Sequence, residues 1–142
     1  MSNLITTECF PCNGKRILIT DDEPFLRKIF RISLLPCFPN CTIDLACNGA
    51  EAVESFQQFH HGVVLMDIEM PIMDGLTAFD SICELCEGKK WVIRAVIFCT
   101  GSELTPSIKM RVEKDPRHGF IQKPVPVANM RAAVKTRLPA AR

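Results

Sequence analysis

One stretch limits what this chain can become: residues 62–75, GVVLMDIEMPIMDG. It starts as an uninterrupted apolar run, Val63-Val64-Leu65-Met66, and an aspartate, Asp67, stands where the run ends. A strand without polar alternation has no solvent face, so both of its sides must be covered, as in parallel sheets. A carboxylate at the carboxyl end of such a strand emerges at the rim of the sheet, where open α/β folds receive their ligands. A second apolar run, Ile17-Leu18-Ile19-Thr20, ends the same way, in Asp21 and Asp22. In a parallel sheet both ends open on one edge, and three carboxylates crowd one pocket.

Helical stretches separate these runs. Residues 1–14 read as an extension and residues 15–142 as one domain. A first strand at 16–20 leads into Asp21-Asp22-Glu23-Pro24, acidic residues and a proline that suit a helix start. Phe25, Leu26, Ile29, Phe30 and Leu34 then recur at helical spacing until Pro36. A short strand at 42–46 precedes a helix that Asn48-Gly49 starts, with Ala52, Val53 and Phe56 on one face. His60-His61-Gly62 reads as a surface turn into the central strand. A helix at 76–86 carries Leu76, Phe79, Ile82 and Cys83 as a stripe. A strand at 91–99, interrupted by Arg94, a weaker helix at 104–112, a strand at 120–122 and a helix at 127–138 complete the chain. Arg111, Lys114 and the Lys89-Lys90 pair read as solvated charges. Five β-α units predict an α/β fold with a mostly parallel sheet and helices on both faces.

Composition excludes several classes. The chain has 142 residues, the size of one domain, and a formal net charge of +1. No basic surplus points to nucleic acid or a membrane surface. No run approaches the roughly 18 apolar residues of a membrane span. The first residues lack the basic and apolar parts of a signal peptide, so the expected location is the cytoplasm. Of the eight cysteines, Cys9 and Cys12, and Cys83 and Cys86, have metal or redox spacing. A four-thiolate zinc site needs both pairs to meet. The simpler reading puts Cys83 and Cys86 one helical turn apart and leaves Cys9 and Cys12 in a loose leader.

Asp21, Asp22, Asp67, Thr100 and Lys123 all follow apolar runs at the same end. A lone aspartate after a strand is ordinarily a turn or a cap; five polar groups converging on one edge are more than that. Clustered carboxylates repel, so a cation must offset them or one must hold a proton. All-oxygen ligation suits Mg²⁺, with Mn²⁺ as the alternative, and the absence of histidine or thiolate ligands argues against zinc. Lys123 can meet an anion, and Thr100 can donate to a phosphoryl oxygen.

These pieces, ILITDDEP, VVLMDIEMPIMDG, FCTG and GFIQKPV, occur in an order and at separations that resemble the receiver domain of two-component response regulators. The resemblance covers about residues 15–137. It implies a doubly wound, flavodoxin-like sheet of five strands in order 2-1-3-4-5. It implies that Asp67 accepts a phosphoryl group from a histidine kinase or histidine phosphotransfer protein. Asp22, assisted by Asp21, and the backbone carbonyl of Glu69 would hold Mg²⁺ with Asp67. Thr100 matches the switch hydroxyl, Phe120 the switch aromatic, Gly75 the turn glycine, and Lys123 the phosphate partner, often followed by a cis peptide. The implied output is a rearranged surface of the fourth helix, fifth strand and fifth helix, which would meet a downstream protein target or form a homodimer. Gly101 departs from the family's usual alanine.

Phosphoryl acceptance makes such a chain a regulator more than a turnover enzyme. Met1 and the ending PAAR favour a stand-alone receiver over a piece of a longer regulator. Two other classes compete. Asp67-Ile68-Glu69 echoes the DxD of phosphohydrolases but departs at its third position. A non-phosphorylated binding module would have no need of all five polar groups.

Overall fold

The structure, a computed structural model, describes residues 13–138. Five strands, β1 (Asn13–Thr20), β2 (Thr42–Ala46), β3 (His61–Met66), β4 (Ala95–Thr100) and β5 (Gly119–Gln122), form one parallel sheet in the order β2-β1-β3-β4-β5. Thr20 lies opposite Ala46 on one side and Met66 on the other, and Met66 lies opposite Phe98. The chain therefore runs outward from β1 to β2 and returns past β1 to β3. The carboxyl ends of β1 and β3 flank the switch point where such folds bind ligands.

Helices α1 (Pro24–Leu34) and α5 (Val127–Arg137) cover one face. Their Phe30, Leu34, Met130 and Val134 pack on Ile17, Ile19, Val63, Leu65 and Ile97. Helices α2 (Gly49–Phe59), α3 (Gly75–Lys89) and α4 (Pro106–Val112) cover the other. There Phe56, Phe79, Ile82 and Ile108 meet Leu18, Val64, Met66, Val96 and Phe98. Adjacent residues of one strand thus serve opposite cores, which is why the central strands are apolar without alternation. Side-chain caps start three helices: Asn48, Asp74 and Thr105 accept from the amides of Glu51, Thr77 and Ile108. Pro24 opens α1, and no side chain caps α1 or α5.

The structure moves several boundaries. β1 starts three residues before the expected 16–20, and α3 runs from Gly75 to Lys89 instead of 76–86. Residues 91–94 precede β4 and do not belong to it. Phe25 does not join the apolar face of α1; it is 67% exposed, because the packed face begins deeper in the helix. Cys83 is half-buried, Cys86 is buried, and both are free thiols. Burial pushes the Cys83 thiol up to about 11, which leaves it protonated at neutral pH. Cys9 and Cys12 lie outside the described residues.

Two readings are overturned. His60 and His61 are not a surface turn: both are buried, because β3 begins at His61 in the middle of the sheet. The His61 Nε2 sits 2.7 Å from Asp44, whose carboxylate also takes a forked contact from Arg16, at 3.0 and 2.8 Å. Burial first, against the pull of Asp44, pushes His61 down to about 4, so the neutral ring donates Nε2–H to Asp44. The Arg16 guanidinium lies 3.7 Å over the Phe59 ring. Arg111 is not a free solvated charge either; it grips Asp80 of α3 through two nitrogens, at 2.9 and 2.7 Å.

Gly75 lets α3 start against the end of β3. Its amide donates to the Ile68 carbonyl at 2.8 Å, and a Cβ there would run into the Asp67 carbonyl oxygen. Backbone cannot yield as a side-chain tip can. Gly75→Ala is expected to cost about 3 kcal/mol, at the upper end of overpacking effects. Urea unfolding checks this, and a midpoint equal to the parent's would refute it.

Candidate functional site

The site is built by strand ends that are pinned before any side chain is considered. The amide of Asp21 donates to Ala46 O at 3.1 Å, that of Asp67 to Thr20 O at 2.9 Å, and that of Lys123 to Thr100 O at 2.7 Å. Each of these three residues is thereby fastened to the last residue of a neighbouring strand. Their side chains then converge. Lys123 Nζ lies 2.7 Å from Asp21 Oδ2 and 3.3 Å from Asp67 Oδ2. The other oxygen of each carboxylate is held by backbone: Asp21 Oδ1 accepts from Glu23 N at 2.9 Å, and Asp67 Oδ1 from Ile68 N at 2.8 Å. The Lys123–Pro124 peptide is cis.

Asp21 is 1% exposed and Asp67 5%, whereas Asp22 is exposed to solvent. One oxygen from each of the three lies within 4.8 Å of the others. Burial, and then the neighbouring charge of Asp21, raise the Asp67 carboxyl above the usual aspartate range, against the pull of Lys123 and the Ile68 amide. Burial alone would lower the Lys123 ammonium; its hydrogen bond to Asp21 and the charges of Asp21 and Asp67 reverse that and raise it. One ammonium facing three carboxylates leaves two formal negative charges, the complement of one divalent cation. The donors are all carboxylate oxygens, so the residues fit Mg²⁺ by hardness, spacing and charge.

The remaining predicted residues lie around this centre. Thr100 ends β4, is buried, and accepts from the Ser102 amide at 3.3 Å. Glu69 points its side chain to solvent and accepts from the Ser102 hydroxyl at 3.0 Å. Phe120 is half-buried, faces Phe98 across β4 and β5, and packs against the core under α3 and α4. Gly101 stands in open space. Sequence reasoning missed the Glu69–Ser102 contact and the hydrogen bond from Arg27 to the Asp21 carbonyl. The first had a signal: a carboxylate two places past Asp67 and a hydroxyl two places past Thr100, in the loops that follow adjacent strands. The second had none.

Similarity to known proteins points to one family. The sequence matches the response regulator receiver domain over residues 17–135. It is 36% identical over 111 residues to the chemotaxis protein CheY of Halobacterium salinarum, covering 78% of this chain and 86% of that one. It is 50% identical over 68 residues to a protein-glutamate methylesterase/protein-glutamine glutaminase of Methanosarcina acetivorans, covering 47% of this chain but only 19% of the relative. Among solved structures, the CheX–CheY–BeF3–Mg²⁺ complex of Borrelia burgdorferi superposes with a TM-score of 0.67 at 26% identity, over 85% of this chain and 87% of that one.

The raised Asp67 carboxyl makes a stability prediction with a definite sign. An aspartate whose folded pKa lies above its unfolded value favours the fold fully below the unfolded pKa. That contribution is lost as pH rises through the folded one. Asp67→Asn is therefore expected to unfold at a higher temperature than the parent at pH 7, with the gain shrinking as pH falls to the ordinary aspartate range. Thermal melts at several pH values check it; a gain that grows on acidification would contradict it.

Proposed function

The chain belongs to the response regulator receiver family, and from that premise we propose that it is a phosphoacceptor signalling switch or relay in which Asp67 receives the phosphoryl group. The donor is the phosphohistidine of a histidine kinase or histidine phosphotransfer protein. The observation that carries this reading is the Lys123 ammonium shared between two buried carboxylates, with an oxygen of a third carboxylate, Asp22, within 4.8 Å of theirs. Such an arrangement is poised to receive an anion with its counterion. The receiver unit in this reading is residues 15–142. That a CheY has been solved with BeF3 and Mg²⁺ supports the same reading.

Asp21, Asp22, Asp67 and the Glu69 carbonyl would hold Mg²⁺, which when bound neutralises the carboxylates and draws charge from the phosphoryl oxygens. An oxygen of the Asp67 carboxylate is the nucleophile; Oδ1 accepts from the Ile68 amide and Oδ2 from Lys123. It attacks phosphorus in line. The O–P bond forms as the N–P bond breaks, and the leaving imidazole nitrogen keeps the electron pair and takes a proton from solvent. Lys123 shifts its hydrogen bond from Asp67 to a phosphoryl oxygen and so needs no long travel. Thr100 turns its hydroxyl toward another. Phe120 follows into the space that Thr100 leaves, and the surface of α4, β5 and α5 changes for a downstream protein partner. Phe120 has no hydroxyl, so its response is one of packing alone.

Incubation with acetyl phosphate and Mg²⁺, read by intact-protein mass, tests the proposal. Asp67→Ala is expected to abolish the phosphoryl adduct while the fold is kept; undiminished labelling would sink the assignment. Chelation of Mg²⁺ should suppress labelling in the parent. Asp22→Ala should raise the Mg²⁺ needed for half-maximal labelling by about tenfold or more, no less than the loss of a residue that merely supports a metal ligand, and an unchanged requirement would remove Asp22 from the site.

A further inference from the structure

Helices α3 and α4 do not close on each other along their length. A groove of about 490 Å³ runs between them, lined by Asp80, Cys83 and Glu84 from one side and by Met110, Arg111 and Lys114 from the other. The Asp80–Arg111 ion pair spans this gap. Its geometry is fork to fork, Nε to Oδ1 at 2.9 Å and Nη2 to Oδ2 at 2.7 Å. The guanidinium is also fixed on its own helix, because Nη1 donates to the carbonyl of Ser107 at 3.0 Å and to its hydroxyl at 2.7 Å. A side chain already held in place loses little freedom in making the pair.

The helix that Arg111 fastens is the least anchored of the five. α4 has seven residues and one buried residue, Ile108. It follows β4 directly: Thr100 closes the strand, and Pro106 opens the helix after a short loop. Any inward movement of Thr100 pulls on that loop and therefore on α4. The groove leaves room on the α3 side, so packing alone does not fix where α4 sits.

We infer that the Asp80–Arg111 pair is a latch that holds α4 in its resting position and must stretch or open when Asp67 is phosphorylated. This rests on the reading of Asp67 as the phosphoacceptor. The latch opposes conversion to the phosphorylated arrangement and sets how much of it is present beforehand. Side chains 46% and 16% exposed, for Asp80 and Arg111, make it a partly screened pair. Its loss is expected to shift the equilibrium by about two- to fivefold, the range of such pairs. A small phosphodonor reads that shift directly, because it reacts with whatever fraction already has the competent arrangement.

The test uses Asp80→Asn, Arg111→Met and the exchange D80R/R111D in the full chain, with acetyl phosphate and Mg²⁺ as donor and beryllofluoride as a stable ligand. Both single variants are expected to be labelled about two- to fivefold faster than the parent and to bind beryllofluoride more tightly by a similar factor. The exchange is expected to return both values toward the parent's. A pair that merely stabilises the fold would lower the melting temperature and leave labelling at the parental rate. That result overturns the latch, as does slower labelling, or an acceleration that the exchange fails to reverse. A parent chain that is not labelled on Asp67 at all defeats the phosphoacceptor reading and the latch with it, an outcome distinct from the others.

Discussion

The arrangement depends on one ammonium group. Lys123 binds the end of β4 through its amide and the ends of β1 and β3 through its side chain. One residue beyond β5 thus ties together strands from across the sheet, at the edge where two buried aspartates would otherwise drive the strand ends apart. Like charges in a poorly solvated place are tolerable only with a partner, and removing that partner costs more than the pair itself contributes. The same contact sets the chemistry. It keeps the Asp67 oxygen near a positive charge that can be handed to an incoming anion.

The opposite end of the sheet is built on a contrary plan. There the Arg16 fork, the Asp44 carboxylate and the neutral His61 ring satisfy one another, with Phe59 beneath the guanidinium. His60 stacks on Trp91 with ring centroids 4.2 Å apart and reaches the Val92 carbonyl. Charges at this pole are matched and enclosed by rings. At the site pole they are in excess and face an opening. A fold that must hold concentrated negative charge at one end benefits from strands clamped in register at the other, since register fixes which side chains reach the rim.

Much of this was legible in the sequence. Strand ends announce themselves when an apolar run stops at a charged residue, which placed Asp21, Asp67 and Lys123 on one edge. The five β-α units followed from the same runs, and the strand order from the receiver resemblance. What failed to read were pairings between elements. His60-His61 resembles a polar turn by residue type, and only its position at the start of the central strand makes it interior. Arg111 looked like one more surface charge until Asp80, 31 residues earlier, came to lie beside it. Phe25 fitted a helical stripe, yet the buried residues of α1, Phe30 and Leu34, lie in its later turns. Local pattern reports which face a residue prefers, but not whether a neighbour exists to cover it.

Gly101 follows the buried hydroxyl of Thr100, and no atom lies within 4 Å of where its Cβ would stand. Nothing in the packing demands a glycine there. The residue therefore acts on the loop through chain entropy alone. A Cβ added at that point would leave the core undisturbed and would stiffen the backbone between Thr100 and α4. The responsiveness of this segment is thus free to drift over evolutionary time, separately from the charges that make the site.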